Sequence, residues 1–173
     1  MAKLDLPASL DVLVVLGSLS DQEIAQQIAP VLEHLGVSAH FEVCSAHRDH
    51  ERLAELIPAA ERAGARVFIG VAGMAAHLPG VIAALTLRPV IGVPCAGSLE
   101  GLDALMSVAQ MPPGIPVACL AVGGGTNAAL LAAQMLAIGD PELAERLDAH
   151  RATLRSKNRA AGAQLRSRLA DGK

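Results

Sequence analysis

Strand patterns and helix patterns alternate along this chain five times over. "DVLVVLG" (11–17) is apolar without a break after Asp11, the mark of a strand covered on both faces. Further strands are expected at "SAHFEVC" (38–44), "RVFIGVAG" (66–73), "PVIGVP" (89–94) and "IPVACLAVG" (115–123). Between the first two, Asp21 to Leu35 sets Ile24, Ile28, Val31, Leu32 and Leu35 on one helical side, and Gly36 stops the helix. Helices are also predicted over 49–64, 78–86, 99–109, 127–138 and 141–169, with Pro58 bending the second. Such alternation gives an α/β fold, a parallel sheet with helices on both faces. The expectation is one domain over 1–173, with a core from about 12 to 138 and an extra C-terminal helix.

Composition removes several classes of function. Hydrophobic residues make up 52% of the 173, so disorder is excluded for most of the chain. There is no Trp or Tyr, which removes the aromatic platforms that stack on single-stranded bases. A net charge of −3 supplies no basic field, so no nucleic-acid partner is expected. The three cysteines, Cys44, Cys95 and Cys119, lie in or beside apolar runs and suit reduced thiols of a cytoplasmic protein. "MAKLDLPASL" carries Asp5 and Pro7 and lacks the apolar core of a signal peptide.

From Val67 to Gly139 the only charged residues are Arg88, Glu100 and Asp103. "HLPG", "GVPCAG", "MPPGIP" and "GGGTN" break this stretch too often for a membrane span, so no membrane partner is expected. Surface helices this poor in charge imply burial against other subunits, hence a homo-oligomer.

In parallel sheets of this kind ligands sit beyond the carboxyl ends of the strands. Each predicted strand ends there in a small or polar cluster: "GSLSD" (17–21), "SAHR" (45–48), "GMAAHLPG" (73–80), "PCAGSLEG" (94–101) and "GGGTN" (123–127). Five such loops make a pocket of amides, hydroxyls and two histidines. Each cluster also has a plain reading. Ser20 or Asp21 can simply cap a helix, yet Ser18 and Ser20 beside helix amides also suit an anion. Asp49 suits a cap of the second helix and His50 a solvated first turn. Arg48 suits a phosphate, which guanidinium grips bidentately. His47 alone is more often structural than catalytic, and His77, just before Leu78-Pro79, is open between core and site. Three glycines at 123–125 point to a close backbone approach. No Walker, GxGxxG, CxxC or HExxH pattern occurs, so ATP, dinucleotide and metal readings have no support.

The segments "VVLGSLSD", "VCSAHR", "AGMAAHLPGVIAALT", "PVIGVP", "GLDALMSVAQMPPGIPVACLAV" and "NAALLAAQMLA" resemble, in this order, the catalytic subunit of phosphoribosylaminoimidazole carboxylase. This is the 5-(carboxyamino)imidazole ribonucleotide mutase family of purine biosynthesis, and the resemblance covers about Val12 to Ile138. It implies a flavodoxin-like three-layer α/β/α sandwich with a five-stranded sheet, a homo-octamer, a small ribonucleotide substrate and no cofactor. Residue by residue, it implies that Ser18 and Asp21 bind the nucleotide, with Asp21 on the ribose hydroxyls. Ser20 and Arg48 would hold the phosphate, with Ser45 nearby. His47 would be the general acid/base. Ala72, Gly73, Met74, His77 and Leu78 belong to the loop that would cover the imidazole and the migrating carboxylate.

The chain departs from the family pattern in three places. "GGGTN" is two residues shorter than the mutases' GxAGAxN, "PCAGSLEG" is one residue short and lacks a "QS" step, and "RDH" replaces "RTP". The related carboxylases that use free carbon dioxide are also short after the fifth strand, but carry a lysine after "SAH". Three functions follow: the mutase, direct carboxylation of aminoimidazole ribonucleotide, or a relative that binds nucleotide without purine catalysis.

Overall fold

The computed structural model describes residues 6–97 and 99–172. Asp5 of the N-terminal segment and Ser98 of the 94–101 loop lie outside the described residues. Five parallel strands, β1 (Val12–Leu16), β2 (Ala39–Val43), β3 (Val67–Ala72), β4 (Val90–Pro94) and β5 (Ala118–Cys119), form one sheet in the order β2-β1-β3-β4-β5. Six α-helices connect or follow them: α1 (Gln22–His34), α2 (His50–Arg62), α3 (Leu78–Leu85), α4 (Leu102–Ala109), α5 (Gly125–Ala137) and α6 (Pro141–Ala170). This is the flavodoxin-like doubly wound order, and its direction reverses between β1 and β3.

The apolar runs are strands because both of their faces are covered. Val12, Val14 and Leu16 join residues of α1, α5 and α6 in one core cluster. Leu13 and Val15 join residues of α2, α3 and α4 in the other. All five β1 residues are buried, so no polar face is left to read as alternation. The register sets Leu16 beside both Val43 and Val71, and Ala72 beside Pro94, so four strand ends open onto one edge. Gly70 and Gly92 are neighbours across β3 and β4. A Cβ on Gly70 would lie 3.0 Å from the Cα of Pro79, and one on Gly92 would run into the Val108 side chain. Their lack of side chains lets α3 and α4 sit close on the sheet.

Several expected boundaries shift, and α4 begins at Leu102 rather than at residue 99. The fifth strand pairs over Ala118–Cys119 alone, not over 115–123. Pro116 has no N–H to donate, and Ile115 closes a turn onto the Pro112 carbonyl. The chain nonetheless stays alongside β4, because the Leu120 and Gly123 amides donate to Gly92 and Pro94 carbonyls at 3.0 and 2.9 Å. The following helix begins at Gly125 rather than Asn127. Helix α2 runs through Pro58 without interruption. Asp140 caps α6 by accepting from the Leu143 amide at 3.0 Å. Among the described residues, no helix is long and apolar enough to cross a membrane.

Candidate active site

A cavity of about 710 Å³ opens at the carboxyl ends of β1 to β4, over the point where strand order reverses. Four of the five expected loops line it; the 123–127 loop does not. From the loop after β1 come Gly17, Ser18, Ser20 and Asp21. Leu19–Asp21 forms a single 3-10 turn capped by Ser18, whose hydroxyl accepts from the Ser20 amide at 3.3 Å. The Ser20 hydroxyl donates to Asp21 Oδ1 at 3.2 Å. Asp21 stands at the cap position of α1 but makes no side-chain cap bond, which leaves its carboxylate for the cavity. Capping and cavity lining are therefore divided among three neighbours rather than being rival readings.

The loop after β2 supplies Ser45, Ala46, His47 and Arg48. It is a tight turn, closed by the Asp49 amide donating to the Ser45 carbonyl at 2.9 Å. Asp49 then caps α2, accepting from the Arg52 amide at 3.3 Å. Arg48 reaches across the cavity mouth, and its Nη2 donates to the Gly17 carbonyl at 2.9 Å. That bond ties the guanidinium to the backbone at the start of the 17–21 loop and, among the described residues, uses one of its five donors. His50, the first residue of α2, is exposed and faces away from this cavity into a second groove.

Ala72, Gly73, Met74, Ala75 and Leu78 line the third side. Met74 is held at φ 56°, a left-handed conformation that costs a side-chain-bearing residue energy. His77 is not in the cavity wall. Its Nδ1 lies 2.8 Å from His47 Nε2, with the rings edge to face and their centroids 4.9 Å apart. A hydrogen bond across that contact needs one ring nitrogen to donate and the other to accept, so the tautomers of the two rings are coupled. His77 also lines the second groove, of about 550 Å³, together with His50, Val81, Ser107 and Met111.

Cys95, Ala96 and Gly97, after β4, close the cavity. Sequence reasoning placed the 94–101 loop at the pocket but singled out Cys95 only as a buried thiol. Burial, reinforced by the facing Asp21 carboxylate, pushes its thiol up to about 12. It stays protonated near neutral pH and is no nucleophile. Burial likewise raises Cys44 and Cys119. Among the described residues no group of three or more His, Cys, Asp or Glu is placed to hold a metal ion. The cavity brings together the hydroxyls of Ser18 and Ser20, the Arg48 guanidinium, the Asp21 carboxylate and the His47 imidazole.

A family model described as AIR carboxylase matches residues 11–157. The N5-carboxyaminoimidazole ribonucleotide mutase of Escherichia coli (strain K12) is 52% identical over 140 residues, 79% of this chain and 83% of that protein. A probable N5-carboxyaminoimidazole ribonucleotide mutase of Methanothermobacter thermautotrophicus is 50% identical over 136 residues, 79% of this chain. The match spans only 41% of that longer protein. The crystal structure of Treponema denticola PurE superposes with a TM-score of 0.82 at 28% identity, covering 89% of this chain and 97% of that one.

Proposed function

The chain belongs to the AIR carboxylase family, and from that premise we propose that it is a purine-biosynthetic mutase. It converts 5-carboxyaminoimidazole ribonucleotide to 4-carboxy-5-aminoimidazole ribonucleotide. The observation that supports this is that His47, next to Arg48 and hydrogen-bonded to His77, lines the same cavity as Ser18, Ser20 and Asp21.

The reaction exchanges a C–N bond for a C–C bond. As the carbamate C–N bond breaks, carbon dioxide leaves and the exocyclic nitrogen takes a proton. The ring C4 then attacks carbon dioxide, and C4 loses its proton. No proton is gained or lost overall, so one group that first gives and then takes a proton suffices. An imidazole does this near neutral pH. In this reading His47 is that group. Ser20 and Arg48, with Ser45 near them, hold the phosphate. Ser18 and Asp21 hold the nucleotide, with Asp21 on the ribose hydroxyls. Ala72, Gly73, Met74 and Leu78 cover the imidazole and the migrating carboxylate, and His77 orients His47. Keeping water out of the covered cavity retains carbon dioxide for recapture.

A second reading, direct carboxylation of aminoimidazole ribonucleotide by free carbon dioxide, is favoured by one observation, the short turn between β5 and α5. Assay of both substrates, with and without bicarbonate, separates the two. Turnover of the carboxyamino compound without bicarbonate is expected. Turnover only of aminoimidazole ribonucleotide with bicarbonate would replace the first reading by the second, and turnover of neither would remove both.

The reading includes a cytoplasmic homo-octamer. Leu102, Met106 and Ile138 flank or lie in the stretch from Ala104 to Gly139, which carries no charged residue, and are 59%, 47% and 89% exposed, as residues covered by other subunits would be in an isolated chain. A monomer by light scattering at micromolar concentration would remove this part.

A further inference from the structure

Two imidazoles join the cavity to the groove beside α3. His47 lines the cavity, His77 lines the groove, and Nε2 of the first lies 2.8 Å from Nδ1 of the second. Each ring stands on a turn fixed by its own backbone bonds. The Asp49 amide closes the first turn by donating to the Ser45 carbonyl at 2.9 Å. The second is pinned on both sides: the His77 amide donates to the Ala75 carbonyl at 2.8 Å, and the Val81 amide to the His77 carbonyl at 2.9 Å. Both histidines are exposed, so their contact buries little apolar area and adds little to the core.

The contact divides the four ring nitrogens. His47 Nε2 and His77 Nδ1 are spent on each other. Among the described residues, neither His47 Nδ1 nor His77 Nε2 has a hydrogen-bond partner. His47 Nδ1 is therefore the nitrogen left for a ligand in the cavity, and His77 Nε2 the one left for water in the groove. At about 550 Å³ the groove has ample room for water, and the exposed His50 and Gln110 open it to solvent. Among the described residues that line it, His50 is the only titratable side chain besides His77, and no Asp or Glu is there to hold a proton back.

We propose that His77 is a proton relay, passing protons between water in the groove and His47 while a ligand covers the cavity. This rests on the reading of His47 as the acid/base of the site. In the loading direction, His77 Nε2 takes a proton from groove water and the His77 Nδ1 proton moves to His47 Nε2. The His47 Nδ1 proton then goes to the exocyclic nitrogen of the substrate. Each ring gains one proton and loses one, so neither changes charge. A substrate that binds before His47 is protonated is thus not stranded, although it closes the direct way from solvent to Nδ1. In the mutase reaction the proton lost by C4 restores the pair. In direct carboxylation that proton has no nitrogen to go to, and the same path run backwards carries it out.

The ring contact is read without any activity. In protein carrying isotope-labelled histidine, magnetic resonance should show a coupling across the N–H···N bond between His47 Nε2 and His77 Nδ1. Its absence would overturn the relay at its first link, whatever the substrate. Turnover then tests the transfer. Asparagine at position 77 puts an amide where Nδ1 stood, so it can still hold His47, but it takes up no proton from the groove. His77→Asn should lower kcat about tenfold and leave KM within about twofold of wild type. His77→Ala should lose at least as much, and imidazole added to the buffer should restore its kcat, because the free ring can enter the space left at the end of the groove. His77→Asn at the wild-type kcat would reduce His77 to a support for His47 and overturn the relay. So would a His77→Ala variant whose kcat ignores imidazole. A wild type that turns over neither ribonucleotide, with the coupling intact, would remove the acid/base reading and the relay with it, and leave the contact.

Discussion

At the amino ends of the strands, Asp11 is saturated. Its Oδ2 accepts from the Ser38 amide and hydroxyl at 3.1 and 2.8 Å, and its Oδ1 from Arg66 Nη2 at 2.6 Å. Its own amide donates to Ser38 Oγ at 2.9 Å, and its carbonyl accepts from the Arg66 amide at 2.9 Å. One residue thereby ties the starts of β1, β2 and β3. At the carboxyl ends the polar groups are as numerous but far less engaged. Arg48 spends one bond on a carbonyl, Asp21 takes one from Ser20, and His47 has one contact, to another exposed imidazole. Both edges are cut from the same strands. The difference teaches that polar residues which answer one another hold a sheet together, while those left half-answered await a ligand.

His47→Asn tests the open edge with the largest effect. Asparagine keeps hydrogen-bonding capacity and approximate size but carries no proton near neutral pH. Turnover should fall about 10²–10⁴-fold. The thermal midpoint should stay within about 1 °C, since an exposed substitution of this kind changes little. A large drop in the midpoint would place His47 with the latch rather than with the chemistry.

Asp11→Ala tests the closed edge. Losing a part-buried carboxylate that satisfies two strands should cost about 2 kcal/mol of stability. Activity per folded molecule should be unchanged. The pH dependence has a definite sign. Burial pushes the Asp11 carboxyl up, but the Arg66 and Ser38 hydrogen bonds outweigh it and hold the group below its ordinary value. Its contribution is therefore complete above about pH 4, the unfolded carboxylate value, and is lost as pH falls through the lower folded value. Denaturation curves of wild type and variant should differ at pH 7 and converge in acid. A gap that widens in acid would show that something else stabilises this edge.

Arg48→Lys keeps the charge and removes the planar fork. It should weaken binding of the ribonucleotide about tenfold, or 1.4 kcal/mol. Calorimetric titration with the product measures this directly. Unchanged affinity would take Arg48 out of the phosphate site and leave it only the Gly17 carbonyl to hold.

The two edges were unequally visible in the sequence, for physical reasons. Continuous apolar runs marked β1, β3 and β4, because burial on both faces leaves no other pattern for a strand. β5 was overdrawn because Pro116 and the 112–115 turn remove ladder bonds without making the segment less apolar. The cavity loops were legible because residues after parallel strands share an edge, whatever their separation in sequence. Cys95 was not singled out within its pocket loop because it closes an apolar run and reads as core. The His47–His77 contact joins residues 30 apart and needs coordinates. The Asp11 latch was missed altogether. A polar residue at a strand start looks like the end of a loop, and nothing in "LDVL", "VSAH" or "ARVF" says that the three will meet.

His50→Asn should have the smallest effect. His50 is the first residue of α2, exposed, after an Asp49 cap that works without it. It lies three residues from His47, yet the turn closed between Ser45 and Asp49 sends the two rings to different openings, His47 to the cavity and His50 to the groove beside α3. Turnover and KM should each stay within about twofold of wild type, and stability within about 0.5 kcal/mol. This makes it a control for the His47 result, because the chemistry of the change is identical and only position differs. If His50→Asn abolished turnover while His47→Asn did not, the proton would be handled from the groove and the open edge would have been assigned to the wrong side of α2. If both variants turned over normally, the polar cluster after β2 would be a capped helix entry, and the half-answered groups at this edge would need another explanation than catalysis.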